Sequence, residues 1–403
     1  MFTSKNSKFV GNPVRKLDLL AEKLSIEGKK VIKLNTGDPA KYFSPPKTLQ
    51  KAYIKAIKEN KFFYSSILGV KELREEIARR YKKYYNLEVR DERIVVAQGI
   101  SELINFLNAS LIDINDSAIL FRPFYPPYLP SLLFFGGKPL FVDFDEEKEW
   151  SIDVDILRRR IKNQRKKPKY ILLINPNNPT GSVLSKKELE EIVEVAKDFD
   201  IFIVSDEIYD ELVFNEKFTS ICEVAKGIPY AIFNGASKSY VATGLRLGYA
   251  IFPEEDKKSN ELYKKFVDFA SLRLCANTPA QYAFAEALKN EKEHKVFLRK
   301  FLKELKQRVK LSTKLANEID CLSVKEPKAA FYIFPKVDFS KLKIKNDKEL
   351  VEKLLIKKFV QVVDGSGFGS PKHIRIVTLA DKQTLNEAFQ RISEFFKEER
   401  KLS

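Results

Sequence analysis

The sequence predicts the α/β class: a large domain on a mostly parallel sheet flanked by helices, with a smaller α+β domain beside it. Two observations predict this. Through the middle of the chain, short β-branched runs alternate with helical patterns. A long Lys- and Glu-rich helical stretch then leads into a second, shorter alternation of strands and helices. At 403 residues the chain exceeds one hydrophobic core, so two domains are expected, one over 47–285 and one formed by 1–46 with 286–403.

The elements follow in order. Residues up to about Tyr42 lack a core of their own and are expected to pack on the smaller unit. Arg93 to Ala97 reads as a strand and Ser101 to about Ile112 as a helix. Ala118 to Phe121 is a strand ended by Pro123, Pro126 and Pro127. Tyr170 to Ile174 is a strand leading into Asn175-Pro176-Asn177-Asn178-Pro179-Thr180-Gly181. Ser185 with Glu188 forms a capping box that opens a helix through about Phe199. Ile201 to Val204, Tyr230 to Phe233 and Leu247 to Phe252 are further strands. From Pro279 a long helix is expected, followed by strands at Phe331–Phe334, Val360–Val363 and Ile374–Val377.

Composition narrows the chemistry. No apolar run approaches membrane-spanning length, and the lysine-bearing N-terminus has no apolar segment behind it, so a cytoplasmic protein is expected. Cys222, Cys275 and Cys321 are scattered and only His294 and His373 are present. That argues against a disulfide framework, a thiolate or histidine metal site, and a serine–histidine–aspartate triad. The net charge of +17 invites a nucleic-acid reading, concentrated at Arg158 to Lys169. Without aromatic interleaving or a recognition element, a solvated helix end is the better account.

The chemistry then rests on residues at strand ends. Asn178, Asp206 and Lys238 all lie just past predicted strands, at the sheet edge where α/β proteins bind ligands. Gly99-Ile100-Ser101 opens a helix whose free amides favour a phosphate. Arg246 can grip that phosphate and depress the pKa of Lys238. A lysine able to form an imine beside such an arginine points to pyridoxal phosphate. Each position alone has an ordinary reading: a helix cap for Asp206, a proline turn for 175–181, a surface lysine for Lys238. Their joint order at successive strand ends is what favours a site. Arg375, a charge within a β pattern, has two readings: a structural ion pair, or a bidentate grip on a substrate carboxylate, for which guanidinium geometry is suited. Gly365 to Gly369 precedes a strand, so it reads as a flexible loop positioning Arg375 and not as a dinucleotide cradle.

These residues resemble the class I/II aminotransferases, pyridoxal phosphate enzymes of fold type I. The likeness rests on Asn175 to Gly181, Ser205-Asp206-Glu207-Ile208-Tyr209, Gly235-Ala236-Ser237-Lys238-Ser239, Thr243 to Tyr249 and Arg375, and covers the chain from Leu34 onward. Arg273 to Gln281, Tyr125-Pro126-Pro127-Tyr128 and the 365–369 loop lean toward alanine aminotransferases. The resemblance implies a seven-stranded large-domain sheet and a homodimer. It implies that Lys238 holds the cofactor and carries the proton, Asp206 pairs with the ring nitrogen, and Tyr209 and Asn178 reach the ring oxygen. Tyr125 would stack on the ring, and Arg375 and the Gly37 backbone would meet the substrate carboxylate. Tyr64 would reach the phosphate in the neighbouring subunit. One position departs from the pattern: many relatives have serine where this chain has Gly235, which leaves Ser237, Ser101 or backbone amides for that phosphate contact. The implied reaction passes an amino group from alanine to 2-oxoglutarate. Aspartate or broad specificity, a non-transaminating enzyme on the same fold, and a cofactor-binding regulator are the rival readings.

Overall fold

The computed structural model describes residues 2–253 and 256–401. Helix α1 (Asp18–Ile26) and strand β1 (Ile32–Lys33) precede α2 (Lys47–Lys58) and α3 (Lys71–Tyr85). The large sheet follows, with its helices between strands. It runs through β2 (Ile94–Ala97), α4 (Ile100–Leu111), β3 (Ser117–Arg122), α5 (Tyr128–Phe134), β4 (Lys138–Asp145) and β5 (Ser151–Ile152). It continues through α6 (Val154–Lys162), β6 (Tyr170–Ile174), α7 (Lys186–Asp198), β7 (Phe202–Asp206), β8 (Tyr230–Gly235) and β9 (Gly248–Ile251).

The strand order is β2-β9-β8-β7-β6-β3-β4-β5. The centre, β8-β7-β6-β3-β4, is parallel, and β9 runs against both β8 and β2. Helices cover both faces, so β6 and β7 are buried at every position. One apolar core lies on each face, one around Ile77, Ile192 and Ile232 and the other around Leu107, Val204 and Phe266. Among the described residues this sheet has eight strands, one more than the seven implied by resemblance. The extra one, β5, has two residues and pairs antiparallel with the edge strand β4 after a turn in which Glu149 and Trp150 take positive φ. A segment that short leaves no alternation to read.

The chain continues through α8 (Lys257–Arg273), α9 (Thr278–Lys289) and α10 (Glu291–Asn317). The single long helix expected from Pro279 is therefore broken. Asn290 ends α9 and caps α10, its side chain accepting from the Glu293 amide at 3.3 Å. Beyond it lie β10 (Leu322–Ser323), β11 (Tyr332–Ile333), β12 (Lys336–Val337), α11 (Asp347–Lys358), β13 (Val360–Gln361), β14 (Val363–Asp364), β15 (Ile374–Val377) and α12 (Lys382–Glu398). Strand β1 pairs in parallel with β13, which binds the N-terminal segment to this later part of the chain. A separate core around Ile333, Leu354 and Phe395 supports it.

The turn after β4 is held by the later segment. Glu146 meets His373 Nε2 at 3.1 Å and Lys336 Nζ at 3.0 Å. Trp150 beside it packs on His373 and Phe334, with centroids 5.9 and 6.1 Å apart. The basic run 158–169 ends α6 and leads into β6, with Lys166 and Lys169 against Asp116 and Lys167 against Asp200. Among the described residues no helix is long and apolar enough to cross a membrane.

Candidate active site

The topology brings the strand ends to one edge. Strands β6, β7 and β8 end there; β9 runs antiparallel and so begins there, and β2 ends beside it, Ala97 opposite Gly248. A cavity of about 410 Å³ opens at this edge. Its wall includes Lys238, Asp206, Tyr209, Asn178, Tyr125 and Arg375, together with Gly37, Ile100, Ser101, Ser237 and Arg246.

Lys238 is half-buried, and its Nζ donates to the Gly37 carbonyl at 2.7 Å. Burial is the main cause that lowers its pKa to about 8; Asp38 opposes this, while Arg375 and Arg246 reinforce it. From the sequence, Arg246 is the expected cause of the shift. In the structure, withdrawal from water outweighs any one cation.

Asp206 ends β7, is buried, and receives two hydrogen bonds: Tyr128 Oη to Oδ2 at 2.8 Å and the Ile208 amide to Oδ1 at 3.2 Å. Burial raises its pKa to about 6, against the pull of those donors and of Lys238. The adjacent Glu207 points elsewhere. It is fully buried and accepts from Ser205 Oγ, Ser220 Oγ and the Ile221 amide at 2.8–2.9 Å, fixing the 220 turn. Burial pushes it up to about 8.

The phosphate-like corner is built by close backbone approach. Gly99 caps α4 at φ +75°, and a Cβ there would stand 2.7 Å from Arg246 Nη2. A Cβ on Gly248 would lie 2.7 Å from the Ile100 amide nitrogen. The bare amides of the first turn of α4 therefore face the Arg246 guanidinium across a space no side chain fills. Arg246 itself is exposed, in the left-handed conformation at φ +53°, and donates to the Thr243 carbonyl at 3.0 Å. Gly235 has a steric reason: a Cβ there would meet the Leu247 carbonyl oxygen at 2.5 Å, so the β8–β9 pairing leaves no room for serine.

Arg375 is 1% exposed and forms no ion pair among the described residues. Nη1 donates to Asn178 Oδ1 at 3.0 Å, Nη2 to the Asn35 carbonyl, and Nε is buried without a partner. Tyr332 and Phe368 flank the guanidinium at 4.6 and 4.7 Å. A buried cation held only by neutral groups leaves a place for an anion. The 365–369 segment that supplies Phe368 is a pinned 3-10 turn, not the flexible loop expected. Asp347 accepts from Ser366 Oγ at 2.8 Å, and Asp364 accepts from the Gly367 amide at 2.9 Å.

Several residues of this wall were not singled out from sequence. Tyr332 Oη lies 2.8 Å from Tyr209 Oη, and a Cβ on Gly37 would fall on that same hydroxyl. Tyr128, in the Tyr125–Tyr128 segment but outside the wall itself, donates to Asp206 Oδ2. Asn12, Val14 and Arg15 close the cavity from the N-terminal segment. Tyr64 lies outside the cavity and is 79% exposed, beside the exposed Phe62 and Phe63.

Comparison with known proteins agrees with this geometry. A family model described as aminotransferase class I and II matches residues 29–392. The glutamate-pyruvate aminotransferase AlaA of Escherichia coli strain K12 is 32% identical over 379 residues, spanning 93% of this chain and 92% of that one. A probable aspartate/prephenate aminotransferase of Aquifex aeolicus is 32% identical over 401 residues, 98% of both. The solved structure of an alanine aminotransferase from Pyrococcus furiosus superposes with a TM-score of 0.93 at 38% identity, over 98% of this chain and all of that one.

Proposed function

This chain belongs to the class I and II aminotransferases, a pyridoxal phosphate-dependent family, and from that premise we propose that it moves the amino group of alanine to 2-oxoglutarate using a cofactor held on Lys238. The observation that carries the reading is the pairing, in one cavity, of a desolvated lysine amine with a buried arginine that lacks an anion. Alanine follows the names of the relatives, glutamate-pyruvate and alanine aminotransferase. Aspartate is the second reading, favoured by the aspartate/prephenate relative.

The residues fit the cofactor. Arg246 and the amides of Ile100 and Ser101 offer a phosphate site, with the Ser101 and Ser237 hydroxyls at the same wall. All four line the cavity: Asp206 would pair with the ring nitrogen, Tyr125 would meet a ring face, and Tyr209 with the Asn178 amide would reach the ring oxygen. When bound, pyridoxal phosphate supplies an electron sink that makes the substrate α-hydrogen acidic. Arg375 binds the substrate carboxylate and fixes the α-carbon near Lys238. The Lys238 amine, neutral in an appreciable fraction near pH 8, takes the α-proton and returns it as acid. Asp206, charged above about pH 6, would keep a bound ring nitrogen protonated.

The large unit, 47–285, would hold the cofactor, and 1–46 with 286–403 would close on the substrate. A cytoplasmic homodimer is part of the same reading. Arg246 is exposed in the single chain, and Tyr64 is exposed beside Phe62 and Phe63, so a second copy would cover both. The test is a screen of amino donors against pyruvate and 2-oxoglutarate, with borohydride fixation of the cofactor on Lys238. Absence of the mass adduct at Lys238, or full activity in Lys238→Ala, rejects the assignment.

A further inference from the structure

A cluster of buried titratable groups behind the cavity wall has no part in the chemistry above. Its centre is His294, in the first turn of α10 and 5% exposed. Its imidazole lies flat on Tyr240, with centroids 3.9 Å apart and planes 5° apart. Its Nε2 faces both oxygens of Glu211, at 3.1 and 2.9 Å. A carboxylate only accepts, so Nε2 carries the proton of this contact. The other ring nitrogen, Nδ1, is buried with no hydrogen-bond partner among the described residues. Arg80 grips Glu211 at 3.2 Å and Asp210 at 3.1 Å, and Tyr85 donates to Asp210 at 3.1 Å. Burial would raise the Glu211 pKa, but Arg80 and His294 more than offset it and hold the carboxyl well below its usual range.

The partners of His294 matter because of where they sit in the chain. Tyr240 lies two residues past Lys238, and the Val241 amide closes that turn onto the Lys238 carbonyl at 3.1 Å. Glu211 lies two residues past Tyr209. Tyr240 is also wedged edge-on against Phe284, with centroids 5.0 Å apart. His294, Tyr240 and Glu211 do not line the cavity. One imidazole therefore joins the segment leaving Lys238 to the segment leaving Tyr209, through a stack on one side and a hydrogen bond on the other.

We propose that His294 is a positioning residue that sets the placement of the Lys238 amine relative to the Tyr209 hydroxyl. The proposal rests on the reading of Lys238 as the cofactor-bearing proton carrier. A stacked ring bonded to a carboxylate that is itself held by an arginine has little freedom to move. Support of that kind is what keeps a reacting group within the narrow geometry its step needs.

His294→Phe keeps a flat ring for Tyr240 and loses the donor to Glu211. His294→Gln keeps a donor and loses the ring. The readouts are kcat and KM of the loaded enzyme and, on cofactor-free protein, the pH profile of Lys238 capture by pyridine-4-carboxaldehyde and borohydride, followed by peptide mass. In both variants kcat is expected to fall roughly tenfold with KM within about twofold, and the capture midpoint to move by about half a pH unit. Tyr240→Leu combined with His294→Gln is expected to lose no more than the worse single change, because both remove one stack. Wild-type kcat and an unmoved capture profile in the folded variants overturn the proposal, as do additive losses in the double variant. If His294→Phe does not fold, His294→Gln decides by the same readouts. Failure of the underlying reading looks different: wild-type Lys238 would then be captured no faster than an exposed lysine such as Lys51.

Discussion

Arg375 donates Nη1 to Asn178 Oδ1 at 3.0 Å and Nη2 to the Asn35 carbonyl, so two neutral acceptors aim a buried cation at the cavity. A lysine in its place keeps the charge and loses the fork. Arg375→Lys is expected to raise KM roughly 10- to 100-fold for every amino donor, with a smaller change in kcat. Steady-state kinetics with three donors of different side chain check this, and an effect confined to one donor contradicts it.

Lys238 titrates near 8 instead of 10.5, chiefly because of burial. Its neutral amine therefore appears as pH rises through about 8, well below the range of surface lysines. Aldehyde capture by cofactor-free protein should rise with a midpoint near pH 8 at this residue, read by peptide mass. A midpoint above 10 would remove the basis for its reactivity.

Tyr128 supplies one of the two donors on Asp206. Tyr128→Phe leaves that buried oxygen without its partner, a loss of about 1–3 kcal/mol in the charged form. Asp206 should then titrate higher, and the acid limb of the activity profile should move to higher pH. Cofactor affinity, followed by absorbance titration, should weaken in parallel.

Glu207 is raised to about 8 in the folded protein against 4.5 in the reference state. The sign follows from proton uptake: between those values the folded state binds more protons than the unfolded one. Its contribution to stability is full below pH 4.5 and lost as pH rises through 8. Glu207→Gln keeps a neutral group on the same donors, so its melting temperature should fall less than the wild type's between pH 6 and 9.

Gly235→Ser should destabilise the protein, since the atom its Cβ meets at 2.5 Å is backbone. Thermal melting and yield of folded protein check this. Wild-type stability would mean the β8–β9 pairing yields more readily than its geometry indicates.

The convergence of Lys238, Asp206 and Asn178 could be read from the sequence because each belongs to a short pattern just past a strand, and parallel strands deliver those ends to one edge; Arg246 joins them from the start of the antiparallel β9. Tyr128 and Tyr332 could not. They reach the site from a helix start and a two-residue strand, and nothing local separates a tyrosine with a buried hydrogen-bond partner from one that only fills a core. The break at Asn290 was equally hidden, since the Lys- and Glu-rich pattern continues on both sides of it. Nothing near His294 in the sequence marks it, because Glu211 and Tyr240 are brought to it only by the fold.

Trp150 is the only tryptophan in the chain, and it sits where the turn after β4 meets His373 and Phe334. Its emission is therefore a native optical gauge of the seam between the large sheet and the strand that carries Arg375. If the later part of the chain closes on substrate, stopped-flow fluorescence on the unlabelled protein should show a change in Trp150 emission, because this is the surface that would shift.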